Sequence, residues 1–368
     1  MDEARRQAVM QISEGEFERL TQLVSSEFKV AASLLDFGVP TYYIKQPQET
    51  KQAFLRLLKK LEPTGNIGIL RRHERLERMT VLRIVPKPPT RHYDVKVNWI
   101  LLFATVATTF VTGYLLSLQI IGLAGHKLDP IVGGVAFTVA IMIVLGSHEW
   151  GHKLFAKKRD VDATPPYFLP GLPPLLGIFG LGTYGAVILQ KSTPANRDSL
   201  FDISSSGPIA GFIAATIVTA IGLTLSIPVR PPEQNVLPPP TPLFLLLQGL
   251  LNLMRAPQPP SSNISLLHPI ALAGWVGLLI TMLNLLPVAM LDGGHVVKSL
   301  TNENIRGVLT ALTLVLLTLK GFWLMIILVL LMSIFEVPGP LDDVSSLSKG
   351  RKLFTIVLVV IFILSFPL

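Results

Sequence analysis

Apolar positions fall into two regimes along this chain. Up to about residue 97 they recur at short amphipathic spacings among charges; beyond it they run in long blocks broken by short polar clusters. In the first regime, residues 14–31 read as a helix of mixed charge, 40–45 as a short strand, and 48–61 as a helix with apolar residues at helical spacing. Residues 67–71 and 79–85 alternate or run apolar and predict strands. These elements make a small soluble α+β domain over residues 1–90, followed by a stiff linker at Pro86, Pro88 and Pro89.

The second regime, residues 95–368, predicts a membrane domain. A helix needs about 20 mostly apolar residues to cross a bilayer. Residues 98–120, 131–156, 203–226 and 268–288 meet that requirement. Residues 306–336 are too long for one span, and Lys320-Gly321 splits them into a helical hairpin. Residues 353–367 predict a last short span. Residues 242–254 are apolar but too short to cross, which suits an interfacial or re-entrant helix. Residues 164–190 are rich in proline and glycine and end in a strand-like run, predicting a membrane-associated β-hairpin. Irregular backbone of this kind survives at membrane depth only where protein or a water-filled cavity covers it. Residues 228–242 are proline-rich and predict an extended loop. The predicted fold class is thus a polytopic α-helical membrane protein of about six to eight membrane segments, carrying a β-hairpin and the N-terminal α+β domain.

Composition agrees: 50% of the 368 residues are hydrophobic and only 15% are charged, against about 25% charged in soluble domains. The net charge of +8 does not point to nucleic acid, because no basic stripe interleaved with aromatics is present. Lys and Arg instead follow membrane topology. With the N-terminal domain placed inside, the inner loops 153–202, 288–306 and 337–352 hold 11 of them and the outer segments hold 4. The reading is a multi-pass protein of the cell membrane with a cytoplasmic N-terminus. The first 95 or so residues are polar, so the first apolar segment is expected to direct insertion. The chain has no cysteine, which excludes disulfides, cysteine-ligated zinc and thiol chemistry.

Near the inner end of the second span, residues 148–152 read His-Glu-Trp-Gly-His. On a helix His148 and His152 lie one turn apart on one face, where two imidazoles can grip one zinc ion with Glu149 beside them. With 7 His and 13 Glu in 368 residues, chance would place this pattern about 0.005 times. Three ionisable groups inside an apolar span are costly unless they pair or bind a metal. A catalytic zinc takes three protein ligands and keeps an open position. Asp292 qualifies as the third: it follows the span 268–288, precedes Gly293 and Gly294, and falls on the same side of the membrane as His148 and His152. The alternative for Asp292 is a helix-capping carboxylate for residues 293–300.

The stretches His148-Glu-Trp-Gly-His152, Gly207-Pro-Ile-Ala-Gly211 and Asn284-Leu-Leu-Pro-Val-Ala-Met-Leu-Asp292-Gly-Gly resemble the site-2 protease family, the M50-type intramembrane zinc metalloproteases. The resemblance covers roughly residues 95–368, and it is similar to archaeal, bacterial and plastid members. It implies one Zn2+ per chain held by His148, His152 and Asp292, with Glu149 as the base, and regulated intramembrane proteolysis of transmembrane protein substrates within the lipid bilayer. Asn284 is, by the same resemblance, a donor or substrate-orienting group; an interhelical hydrogen bond is the other reading. No PDZ-like or CBS-like insertion is visible in the sequence.

The strand-like stretch 182–190 either offers an edge to an unwound substrate or plugs the cavity. Gly207, Pro208 and Gly211 are read as permitting close helix contact or a kink. Trp150 is read as lipid-facing or packing, His295 as a surface residue or a neighbour of the metal ligands, and His126 and His268 as interfacial. Two other functions compete. A metal-ion transporter should show repeated halves with discontinuous helices, and no second His-Glu-x-x-His is present. A proteolytically inactive scaffold should lack Glu149 or a ligand, whereas all four positions are present.

Overall fold

The computed structural model describes all residues except 1–11, 74–78, 90–92, 125–128, 175–179, 230–238, 255–263, 289, 302, 324–325, 328 and 331–338. The chain divides into two compact units. The first comprises Met1–Arg91, Ser192–Leu200 and Pro338–Ser348; the second comprises His92–Lys191, Phe201–Val337 and Lys349–Leu368.

The first unit is built on a four-stranded antiparallel sheet of β1 (Val30–Asp36), β2 (Val39–Lys45), β3 (Asn66–Arg72) and β4 (Met79–Pro86), in the order β1-β2-β4-β3. Strand alternation places Leu70, Leu82 and Ile84 on a buried face. Against that face pack α1 (Glu14–Ser25) and α2 (Lys51–Leu61). In α2, Ala53, Phe54, Leu57 and Leu61 are buried at helical spacing. The predicted helix over 14–31 ends early, at Ser25, and the chain turns into β1. The Ser26 hydroxyl donates to the Leu23 carbonyl and closes the last turn. Strand β1 carries no alternation signal because it is an edge strand exposed along most of its length.

Two short segments lying between apolar helices in the sequence extend this sheet. The amide of Leu70 donates to the Leu341 carbonyl at 2.9 Å, and the amide of Asp343 donates to the Leu70 carbonyl at 3.2 Å. On the far side of that segment, Leu341 and Asp342 donate to Pro194 and Ala195, both at 2.9 Å. Lys51 Nζ anchors the arrangement, donating to Asp198 at 3.2 Å, the Ser346 carbonyl at 2.8 Å and Ser348 Oγ at 3.2 Å.

The second unit is mostly helical. Among the described residues, three helices are long and apolar enough to cross a membrane: α3 (Val95–Ala124), α4 (Pro130–Lys158) and α5 (Arg197–Leu225). Small residues let them approach closely. A Cβ on Gly113 of α3 would stand 3.0 Å from the Gly134 Cα of α4, and one on Gly277 would stand 2.6 Å from Val144 Cγ1 of α4. The shorter apolar helices are α6 (Pro242–Met254) and α7 (Pro269–Asn284). The expected span 268–288 is therefore a 16-residue helix. Its path stops at Asn284 because Pro287 cannot continue a helix, and residues 285–288 form tight turns instead.

Beyond it lie α8 (Asp292–Leu300), α9 (Glu303–Leu319) and α10 (Lys349–Ser365). The break expected at Lys320-Gly321 is the end of α9. Gly321 takes a φ of 73°, which glycine adopts without strain, and the Phe322 amide closes back on the Leu317 carbonyl at 2.9 Å. Much of the expected second half of that hairpin, residues 331–336, lies outside the described residues, as does most of the proline-rich loop 228–242.

The hairpin predicted within 164–190 consists of β5 (Tyr167–Pro170) and β6 (Thr183–Val187), paired antiparallel. Helix α3 holds its base: Asn98 Nδ2 donates to the Pro165 and Pro166 carbonyls at 3.1 and 2.9 Å, and Thr108 Oγ1 donates to the Gly182 carbonyl at 2.6 Å. Two shorter strands, β7 (Ile227–Val229) and β8 (Ile264–Leu266), form a separate pair.

Phe54 is fully buried in the first unit, whereas Phe37 is 91% exposed. We expect Phe54→Ala to destabilise that unit by about 3–5 kcal/mol and Phe37→Ala to change it by less than about 0.5 kcal/mol. Urea-dependent proteolysis of the sheet checks both.

Candidate metal centre

Helix α4 carries the centre. Asp129 caps its first turn, accepting from the Ile131 amide at 2.8 Å, and Lys157 and Lys158 complement the negative end of the helix dipole in its last turn. Between these ends the helix is regular, so His148 and His152 stack one turn apart with ring centroids 4.9 Å apart. Both are buried, as is Glu149. Asp292, the first residue of α8, comes from the turn after α7. Gly293 makes that turn possible: a Cβ there would collide with the Leu285 and Leu286 carbonyls.

The three donor atoms form a nearly equilateral triangle. His148 Nε2 lies 3.2 Å from Asp292 Oδ2, His152 Nε2 lies 3.1 Å from the same oxygen, and the two Nε2 atoms are 3.1 Å apart. Around a tetrahedral ion with bonds of about 2.0–2.1 Å, ligand atoms stand roughly 3.3 Å apart. Two imidazole nitrogens and a carboxylate oxygen, each facing the other two across that distance, therefore match one face of a tetrahedral metal site. The next atoms outward support the same arrangement. His152 Nδ1 lies 2.8 Å from the Ile203 carbonyl of α5. A carbonyl only accepts, so Nδ1 carries the proton and Nε2 keeps its lone pair for a metal.

Glu149 follows His148 on the same helix, and its side chain lies near the backbone of Ile188, just past the end of β6. Asn284, the last residue of α7, has Nδ2 3.4 Å from His148 Nε2. All five site residues expected from sequence, His148, Glu149, His152, Asn284 and Asp292, thus gather at one place. Other expectations fare differently. Trp150 is 68% exposed on the outer face of α4. His295 is partly buried: its Nδ1 is buried and has no hydrogen-bond partner among the described residues. His268 caps α7, accepting from the Ile270 amide at 3.3 Å. His126 lies outside the described residues.

The close helix contact read for Gly207 and Gly211 is the packing of α5 against the two histidines. A Cβ on Gly207 would overlap His152 Nε2, and one on Gly211 would stand 2.9 Å from His148 Nδ1. The signal was in the chain: glycines at i and i+4 on one helix face histidines at i and i+4 on another. The Ile203 carbonyl carried no sequence signal, because backbone atoms have none.

We expect Gly207→Ala to push the His152 ring out of the triangle and weaken metal binding at least tenfold, the scale of lost ligand orientation. Gly146→Ala, whose Cβ meets nothing within 4 Å, leaves binding unchanged. Metal content per purified chain checks the pair.

The description "Peptidase family M50" matches residues 136–328 of this chain. Probable zinc metalloprotease EGY1, chloroplastic, of Arabidopsis thaliana is 35% identical over 169 residues, 45% of this chain and 29% of that protein. Its counterpart in Oryza sativa subsp. japonica is 36% identical over 158 residues, 41% and 25% of the two chains. Probable zinc metalloprotease EGY2, chloroplastic, of Arabidopsis thaliana is 28% identical over 204 residues, 54% and 34% of the two chains. The chain spans about a third of the length of these relatives or less. These relatives are named chloroplastic and lend no support to the expected cell-membrane location or to its orientation. No solved structure matches. The family match runs over more than half of the chain and takes in both α4 and the Asp292 turn, and this protein therefore belongs to peptidase family M50.

Proposed function

We propose that this chain is a membrane-embedded zinc metalloendopeptidase that hydrolyses peptide bonds of transmembrane proteins, with His148, His152 and Asp292 as the zinc ligands. The observation that carries the reading is the donor triangle of 3.1–3.2 Å sides, in which two histidines four positions apart meet an aspartate 140 and 144 positions away. Names of the relatives as zinc metalloproteases support the choice of ion.

Zinc, when bound, polarises the scissile carbonyl and lowers the pKa of its water toward about 7. Glu149 takes the proton from the attacking water and delivers it to the leaving amine. It sits one residue from His148 and is buried. Asn284 Nδ2 donates to the carbonyl oxygen as negative charge develops on it. The buried pocket keeps other water away from these groups and strengthens each of these interactions.

A transmembrane substrate hides its carbonyls within its own helix and must unwind before it is cut. Strand β6 suits an extended substrate, since among the described residues it pairs only with β5 and its continuation at Ile188 passes near Glu149. The substrate would add as a strand along this edge. In the same reading the shorter helices α6, α7, α9 and α10 bring the membrane segments to six to eight. The Lys/Arg bias puts the N-terminal unit and the metal centre toward the inner side, and the role is regulated intramembrane proteolysis.

Two outcomes are expected. A tagged single-span substrate in detergent is cut by the wild type. Glu149→Gln retains about one zinc per chain but cuts it at least about 100-fold more slowly. Equal cutting by both proteins, or no zinc in either, refutes the assignment. Photo-crosslinkers at residues 182–190 are expected to capture the substrate that the enzyme cleaves. If none of them does while cleavage proceeds, the strand-addition step is wrong.

A further inference from the structure

Three charged side chains meet where α4 ends and α10 begins. Asp202 of α5 accepts from Arg351 Nε at 2.6 Å and Arg351 Nη2 at 2.8 Å, and also from Arg159 Nη2. Arg159 is the residue that caps α4, and Arg351 stands in the first turn of α10. The side chains are only 12%, 25% and 31% exposed for Asp202, Arg351 and Arg159. A planar two-pronged guanidinium fixes both the position and the direction of a carboxylate, which a single ammonium contact does not.

Asp202 is followed by Ile203, and the Ile203 carbonyl is the atom that receives His152 Nδ1. The same carbonyl accepts Ser206 Oγ at 2.7 Å. One turn further along α5, Gly207 lies against His152 Nε2. Two successive turns of one helix therefore bracket the His152 ring, one from each nitrogen. A helix moves as a rod over so short a distance. Any slide or rotation of α5 would shift the carbonyl from Nδ1 and bring the backbone at Gly207 toward Nε2 together. Arg159 lies seven residues beyond His152 on α4, roughly 10 Å along the axis. The ion triad thus clamps α5 to the same helix whose histidine it brackets.

We propose that Asp202 is a positioning residue of the metal centre: held by Arg159 and Arg351, it sets the α5 register that fixes the His152 tautomer and aims Nε2 into the donor triangle. The inference rests on the reading of His152 as a metal ligand. It assigns Arg159 and Arg351 no contact with substrate; they act only through Asp202 and the Ile203 carbonyl.

The test uses the full chain in detergent, stripped of metal and titrated with Co2+ and Zn2+ in competition with a chromophoric chelator. The variants are Asp202→Asn and Arg351→Lys, the second keeping the charge but losing the fork. Glu303→Gln, which removes an exposed ion pair with Arg306, is the control. We expect both variants to bind metal about tenfold more weakly and to shift the visible band of the Co2+ form, while the control matches the wild type. If Asp202→Asn does not fold, Arg351→Lys carries the test. Wild-type affinity and an unchanged Co2+ band in the folded variants, even with a lowered melting temperature, would make the triad a helix clamp and overturn the proposal. His152→Ala is run alongside: wild-type metal affinity in that variant would remove His152 as a ligand, and the metal-centre reading would fail first.

Discussion

Two imidazoles and a carboxylate buried among apolar helices are costly unless each satisfies the others or all three share a cation. Much of the second unit follows from meeting that demand. Helix α4 supplies two donors because its regular 3.6-residue period stacks positions four apart. The third has to arrive from elsewhere, and the turn after α7 brings it. Pro287 stops α7, Gly293 allows the backbone to pass the Leu285 and Leu286 carbonyls, and Asp292 emerges at the head of α8. Glycines on α5 then allow a third helix to close over the histidines without displacing them.

The same demand explains why the irregular hairpin lies where it does. Its backbone needs partners at apolar depth, and α3 provides them through Asn98 and Thr108. The end of the hairpin passes near Glu149 at Ile188. In the proposed mechanism this places an extended edge beside the base, so one element serves both to cover the polar groups and to receive the substrate.

Legibility in the sequence tracked physical locality. The long helices α3, α4 and α5 were visible because twenty apolar residues in a row admit few other structures. The stop at Gly321 and the hairpin within 164–190 were visible because glycine freely enters left-handed backbone that other residues avoid, and proline fixes its own φ and cannot continue a helix. The histidine pair was visible because its spacing is a helix property, and Asp292 because it stands on a glycine turn after an apolar run. What stayed hidden was non-local or carried by backbone. Strand β1 has no alternation because neither face is fully buried. The segments 194–196 and 341–343 read as loops, yet they extend the sheet of the first unit through main-chain bonds to Leu70 and to each other. The 268–288 span came out shorter than expected because an apolar run contains no marker of where a turn replaces a helix except Pro287, and apolar turn residues kept the run going past it. The partner of His152 Nδ1 is a backbone carbonyl, which every residue possesses.

The most direct measurement is X-ray absorption at the zinc edge on the purified, metal-loaded chain, with Asp292→Ala beside it. The proposed centre predicts one zinc per chain, two imidazole nitrogens and light oxygen neighbours at about 2.0–2.1 Å, and loss of that ordered shell in Asp292→Ala. A zinc shell without imidazole scattering, or one that Asp292→Ala leaves intact, would contradict it.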